Sequence, residues 1–224
     1  MMEVAKYALS SKVPSASRVG VGAAAWRSGL DRSAIRFSTG DGSRCAARDA
    51  GADVTLITGP TALVRPAGVR TFEVESADDM KDAILANLPR ADAVIMAAAV
   101  ADYRPVERVT SKLKKKDLGN EMTVRMTENP DLLKAIVAAR RPGTVVVGFK
   151  AETGDATAEA SRMLRDKKLD LVVANDVAGP GSPFGSDDDQ VAFVSADGVE
   201  RLPLLKKTEV ARRLVSKLAE RLAR

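Results

Sequence analysis

Histidine is absent from this chain of 224 residues, and cysteine occurs once, at Cys45. Those absences exclude a histidine-based catalytic triad, an ordinary zinc site and an internal disulfide. Aromatic residues make up only 4%, which leaves few rings on which nucleic-acid bases could stack. No apolar run reaches the roughly 18 residues of a membrane-spanning helix, and the opening MMEVAKYALSSKVPSAS lacks the sustained apolar core of a secretory signal. The expectation is a cytoplasmic protein without a nucleic-acid or membrane partner. Chemistry must come from lysine, carboxylates, amides and backbone. A formal charge of +5 and a pI near 9.4 suit an anionic ligand, and the scarcity of aromatics favours a small phosphorylated one over a polymer.

With 45% hydrophobic residues the chain can bury one sizeable core. Its most informative stretch runs from Ala91 to Lys116. The apolar run Ala93 to Ala101, with Val94, Ile95 and Val100, predicts a strand buried on both faces of a parallel sheet. Its carboxyl end delivers Asp102, Tyr103 and Arg104, followed by Lys112, Lys114, Lys115 and Lys116. In open α/β sheets ligands bind outside the carboxyl ends of the strands. The small Ala97, Ala98 and Ala99 would let a ligand approach the backbone there.

Residues 1–45 carry no clear apolar strand and are expected to stay irregular, outside the sheet. Gly20, Gly22 and Ala25 match the spacing of a dinucleotide fingerprint, but SASR rather than an apolar strand precedes them, so the match is read as composition. The ordered domain is expected over 46–224. Strands are predicted at Asp53–Thr58, Val69–Glu75, Met122–Met126, Thr144–Phe149, Leu169–Ala174 and Val191–Ser195, with a short one near Leu202. Helices are predicted after Ser76, after Asn129-Pro130-Asp131, from Ala156 to Lys168 and from Lys207 to Leu222. Strands alternating with helices define an α/β class: a doubly wound, mostly parallel Rossmann-like sheet with helices on both faces. Three strand ends would then share one polar edge, carrying Asp102 with the lysines, Phe149 with Lys150 and Glu152, and Asn175 with Asp176. Lysines suit phosphates, carboxylates suit ribose hydroxyls, and a helix start at Pro130 offers unpaired amides.

The motifs AAAVADYRP (Ala97–Pro105), Lys112-Leu113-Lys114-Lys115, Asn129-Pro130-Asp131, VGFKAET (Val147–Thr153), Asn175-Asp176-Val177 and Phe184-Gly185-Ser186-Asp187, in this order, resemble those of the phosphopantothenate-cysteine ligases of the bacterial, CTP-using type. The resemblance covers about Ala46 to Arg224. It implies a ligase of coenzyme A biosynthesis that joins 4'-phosphopantothenate to cysteine through an acyl-cytidylate made from CTP, with magnesium on the triphosphate, in a homodimer. Carried over position by position, it places the nucleoside on Met96, Ala97, Ala98 and Asp102. Lys112 would take the phosphates as the catalytic cation, Pro130, Asp131, Leu132 and Leu133 the nucleotide at a helix start, and Phe149 the base. Lys167 matches the second of two lysines one helical turn apart in the family; Met163 stands at the first, with Arg162 beside it as a substitute cation.

The family's opening strand and its asparagine-bearing loop are not intact in residues 1–45, so the alternative is a nucleotide-binding module impaired in catalysis. An NAD(P)-dependent oxidoreductase is disfavoured, because Glu107 stands where a lysine would follow Tyr103.

Overall fold

The computed structural model describes residues 22–25, 46–60, 67–107, 113, 121–176 and 187–223, with the backbone alone at 22–25. In chain order they begin with strand β1 (Gly22–Ala25), helix α1 (Ala46–Asp49), β2 (Thr55–Thr58), β3 (Arg70–Glu73), α2 (Ala77–Asn87) and β4 (Ala93–Met96). A small hairpin of β5 (Tyr103–Pro105) and β6 (Met126–Glu128) leads to α3 (Leu132–Ala139), β7 (Val145–Glu152), α4 (Ala156–Asp166) and β8 (Leu171–Asp176). The last third comprises β9 (Asp188–Asp189), β10 (Val191–Ser195), β11 (Gly198–Arg201), β12 (Leu205–Lys206) and α5 (Lys207–Leu222).

Eight strands form one sheet in the order β11-β10-β8-β7-β4-β1-β2-β3. The pairings β2/β3, β4/β7 and β7/β8 are parallel, whereas β1 and β10 run against their neighbours. Six strands thus point one way, and the doubly wound α/β class expected from the sequence is the class observed. β2, β4 and the first four residues of β7 and β8 are buried throughout. Their Val/Ile/Leu runs do not alternate because helices cover both sheet faces. One core layer joins Ile84, Leu133, Ile136, Val146 and Val172; the other joins Ile95, Val147, Val173, Phe193, Leu214 and Leu218.

Three local corrections follow from tertiary pairing. β4 stops at Met96 instead of continuing to Ala101, since the last ladder partners are Met96 with Gly148 and with Ala23. The strand expected at Met122–Met126 forms at Met126–Glu128, opposite Tyr103–Pro105, a segment with no strand signal of its own. Gly22–Ala25, expected outside the sheet, lies between β2 and β4 and pairs antiparallel with both. A Gly-Ala-Ala-Ala tetrapeptide has no large side chains to alternate, so its strand signal is silent; backbone hydrogen bonds on both sides hold it. The rest of residues 1–45 lies outside the described residues.

The edge at the strands' amino ends is stapled by ion pairs. Arg140 binds Asp170, whose Oδ2 also accepts the Val146 amide at 2.7 Å. Arg141 binds the buried Asp92, and the Thr144 hydroxyl donates to the Ala91 carbonyl at 3.0 Å. These contacts fix the amino ends of β4, β7 and β8, so the opposite ends inherit a defined spacing.

Candidate nucleotide site at the carboxyl edge

Helix α3 anchors the edge. Its N-cap is Asp131, whose Oδ1 accepts the Lys134 amide at 3.1 Å, as the Asn-Pro-Asp signature predicts. Its Oδ2 lies 3.0 Å from the Lys167 ammonium and 3.8 Å from that of Lys134. Burial alone would raise the Asp131 carboxyl, but the Lys167 hydrogen bond, the Lys134 amide and the two ammonium charges outweigh it and hold its pKa below the ordinary value.

Lys167 owes its position to the way α4 ends. It is the C-cap, and its amide donates to the Met163 carbonyl at 3.0 Å. The Leu169 amide donates to Leu164 at 2.9 Å and that of Lys168 to Arg165 at 3.2 Å, with Lys168 in the left-handed region at φ 52°. Those two bonds make a Schellman ending, which turns the chain into β8 and leaves Lys167 over the start of α3.

Gly148 admits the close approach beneath. A Cβ there would sit 2.9 Å from Leu169 Cδ1, 3.0 Å from Met163 Cε and 3.5 Å from Leu133 Cδ1. Met163 therefore spends its side chain in the core. Arg162 does not replace a cation at that position: it is exposed, paired with Glu159, and five residues from Lys167, about 140° around the helix, whereas Met163 is one turn away.

The loop leaving β4 is tied to the same helix start. The Asn129 amide donates to the Asp102 carbonyl and its Nδ2 to the Ala101 carbonyl, both at 2.7 Å. Its Oδ1 accepts from Arg104 Nη1 at 3.0 Å. Met96, Ala98, Asp102, Pro130, Asp131, Leu132, Leu133 and Lys167 are thus gathered around the beginning of α3, where buried Leu132 and Leu133 pin the helix to the core. In the sequence Asn129 stands only as part of a helix opening.

Phe149 does not join them on the same face. Successive strand residues point to opposite sides, and Phe149 packs with Ala97 in the layer under α5, while Leu133, Met163 and Ala98 belong to the layer under α3 and α4. A ligand touching both Phe149 and Lys167 must cross the sheet's carboxyl edge. On the Phe149 side, Asn175 Nδ2 donates to both oxygens of Asp189, at 2.9 and 3.0 Å, and burial raises the Asp189 carboxyl. Lys112 and Lys114 to Lys116 lie outside the described residues. A cleft of about 260 Å³ opens nearby between the start of α4 and β10–β11, with Asp155, Thr157, Asp176, Gln190 and Arg201 in its wall; none of the residues expected on the nucleotide lines it. Among the described residues no helix is long and apolar enough to cross a membrane.

Sheet and helices together define a doubly wound α/β domain, with Asn129, Asp131 and Lys167 converging at its carboxyl edge. The sequence matches the DNA/pantothenate metabolism flavoprotein C-terminal domain over residues 39–222, and the chain belongs to that family. It is 40% identical over 173 residues to the coenzyme A biosynthesis bifunctional protein CoaBC of Vibrio vulnificus, covering 77% of this chain and 43% of the relative. Identity to the protein of the same name from Mycobacterium bovis is 42% over 184 residues, covering 77% and 44%. The chain therefore spans less than half the length of these relatives. The crystal structure of the C-terminal domain of a CoaBC superposes with a TM-score of 0.67 at 31% identity, covering 91% of this chain and 93% of that one.

Proposed function

We propose that this domain is a CTP-dependent ligase of coenzyme A biosynthesis, joining 4'-phosphopantothenate to the amine of cysteine. The observation that carries the reading is the Lys167–Asp131 pair poised over the start of α3, at 3.0 Å, beside the end of β4. Family membership and the names of the relatives support it.

In the first step a carboxylate oxygen of phosphopantothenate bonds to the α-phosphorus of CTP as the bond to the β-phosphate oxygen breaks, releasing pyrophosphate. In the second, the cysteine nitrogen bonds to the acyl carbon, CMP leaves with the former carboxylate oxygen, and the ammonium proton passes to solvent. Neither step demands a histidine. Both build charge on phosphate oxygens, which fixed ammonium groups and helix-start amides stabilise without moving protons. In this reading Lys112 and Lys167 hold the phosphates, Asp131 keeps Lys167 extended over them, and Leu132 and Leu133 fix the amides that face them. Met96 to Ala98 and Asp102 hold the nucleoside, with Phe149 against the base from the other side of the edge. Magnesium would come with the triphosphate and supply positive charge against its oxygens, since among the described residues no cluster of three metal-ligating side chains stands to hold the ion. The working unit is a cytoplasmic homodimer in which residues 120–127 pair across the interface; Met122 and Met126, 40% and 42% exposed, suit burial there.

A second reading, a nucleotide-binding module that does not complete ligation, is favoured by one observation. β1 runs antiparallel, so its carboxyl end at Ala25 pairs with Val94 and Thr55, at the amino ends of β4 and β2. Whatever follows β1 starts from the edge opposite the site. Pyrophosphate release with CTP, phosphopantothenate, cysteine and magnesium decides between them. The ligase reading expects release with CTP and much less with ATP. CTP binding without release supports the module, and equal release from ATP removes the cytosine preference.

A further inference from the structure

We propose that Asn129 is a positioning residue that sets the separation between the nucleoside-holding and phosphate-holding halves of this edge, an inference that rests on the nucleotide reading above. The halves are contributed by different elements. Asp102 sits on the loop after β4, whereas Asp131 and Lys167 sit at the start of α3 and the end of α4. The β5–β6 ladder, with Tyr103 opposite Glu128, brings that loop beside the segment before α3, and the backbone amide of Asn129 extends it by donating to the Asp102 carbonyl at 2.7 Å. The Asn129 side chain carries the tie past the ladder with two bonds of its own: Nδ2 to the Ala101 carbonyl at 2.7 Å and Oδ1 accepting from Arg104 Nη1 at 3.0 Å.

The clamp is braced at both ends. The same Arg104 nitrogen donates to the Glu128 carbonyl at 3.1 Å, and Nη2 lies 3.3 Å from Asp78 in the first turn of α2. Between Asn129 and the helix cap stands only Pro130, whose ring fixes φ and leaves little play. Residues 129–131 are thus a short stiff link: one end grips the Asp102 loop and the other, through Asp131, holds Lys167 at 3.0 Å. An asparagine is required because a single short side chain must donate to a carbonyl and accept from a guanidinium at once. Aspartate would place a carboxylate against the Ala101 carbonyl, and alanine would do neither job.

Such a clamp adds nothing to either half alone. Its benefit appears when one ligand spans both, because the second contact is then made at a pre-set distance. Asn129→Ala should weaken CTP binding about tenfold while the dissociation constants of cytidine and of pyrophosphate, each touching one half, change by less than about twofold. Arg104→Met, which removes the brace and the partner of Asn129 Oδ1 but leaves the Nδ2 bond to Ala101, should show the same split at about threefold. Titration calorimetry with the three ligands, with thermal unfolding recorded alongside, reads this directly. Unchanged CTP affinity, or an equal loss for all three ligands together with a lowered melting temperature, would overturn the proposal, the latter by showing a purely structural role. Should the parent chain bind no CTP, the nucleotide reading fails and the clamp is judged by amide exchange: markedly faster exchange at amide 129 in Asn129→Ala supports it, and unchanged exchange overturns it.

Discussion

Lys167→Ala should bind CTP on the order of 10 to 100 times more weakly than the parent chain, because a charged hydrogen bond to phosphate contributes about 1.5 to 3 kcal/mol. The helix start survives this change. Asp131 still accepts the Lys134 amide at 3.1 Å, so α3 keeps its cap, and thermal unfolding recorded beside the calorimetry separates the binding effect from the small loss of stability. Equal affinities for parent and variant would remove Lys167 from the site. Acid stability should move as well. The Asp131 carboxyl is held below its ordinary value of 3.8, so its stabilising contribution is present above that pH and is lost as the pH falls through the lowered folded value. Without Lys167 the increment shrinks, so the variant should be slightly less stable than the parent near neutrality and converge on it once the pH has fallen through the lowered folded value.

The largest effect on stability is expected from Phe193→Ala. Phe193 lies at the centre of β10, 1% exposed, in the layer with Val173, Leu214 and Leu218, and Lys217 Nζ stands 5.9 Å from its ring. Truncation removes a whole ring from a layer covered by α5, and such phenylalanine deletions cost about 3 to 5 kcal/mol. The melting temperature should fall by about 10 °C, at roughly 2 to 4 °C per kcal/mol for a chain of this size. The folded fraction should bind CTP as before, since β10 is separated from β4 by β8 and β7. A fall under about 1 kcal/mol would mean that the layer collapses around the gap.

Much of this fold is legible in the sequence because its signals are local. The runs that become β2, β7 and β8 are apolar without alternation, and Ser76, Asp131 and Asp155 stand as caps where the helices begin. Non-local features are hidden. Tyr103–Pro105 becomes a strand only because Met126–Glu128 lies against it, and Gly22–Ala25 is held by ladders on both sides with no side-chain pattern to announce it. The site divides in the same way. The Asn-Pro-Asp cap follows from helix signals and Lys167 from the family resemblance, and their meeting follows from two helices converging on the groove at Gly148. Phe149 was grouped with the lysines because it closes an apolar strand, yet strand parity sends it to the other face. Asn129 was hidden because its role consists of bonds to residues 25 to 28 positions earlier, which no spacing rule encodes.

The account rests on an acyl-cytidylate formed at the carboxyl edge, and oxygen transfer tests it most directly. Phosphopantothenate labelled with ¹⁸O in its carboxylate would be incubated with CTP, magnesium, cysteine and the protein, and the nucleotide product analysed by mass spectrometry. The account predicts CMP carrying one ¹⁸O per molecule of phosphopantothenoylcysteine formed. Amide product accompanied by unlabelled CMP, or no amide product despite CTP binding, would contradict it.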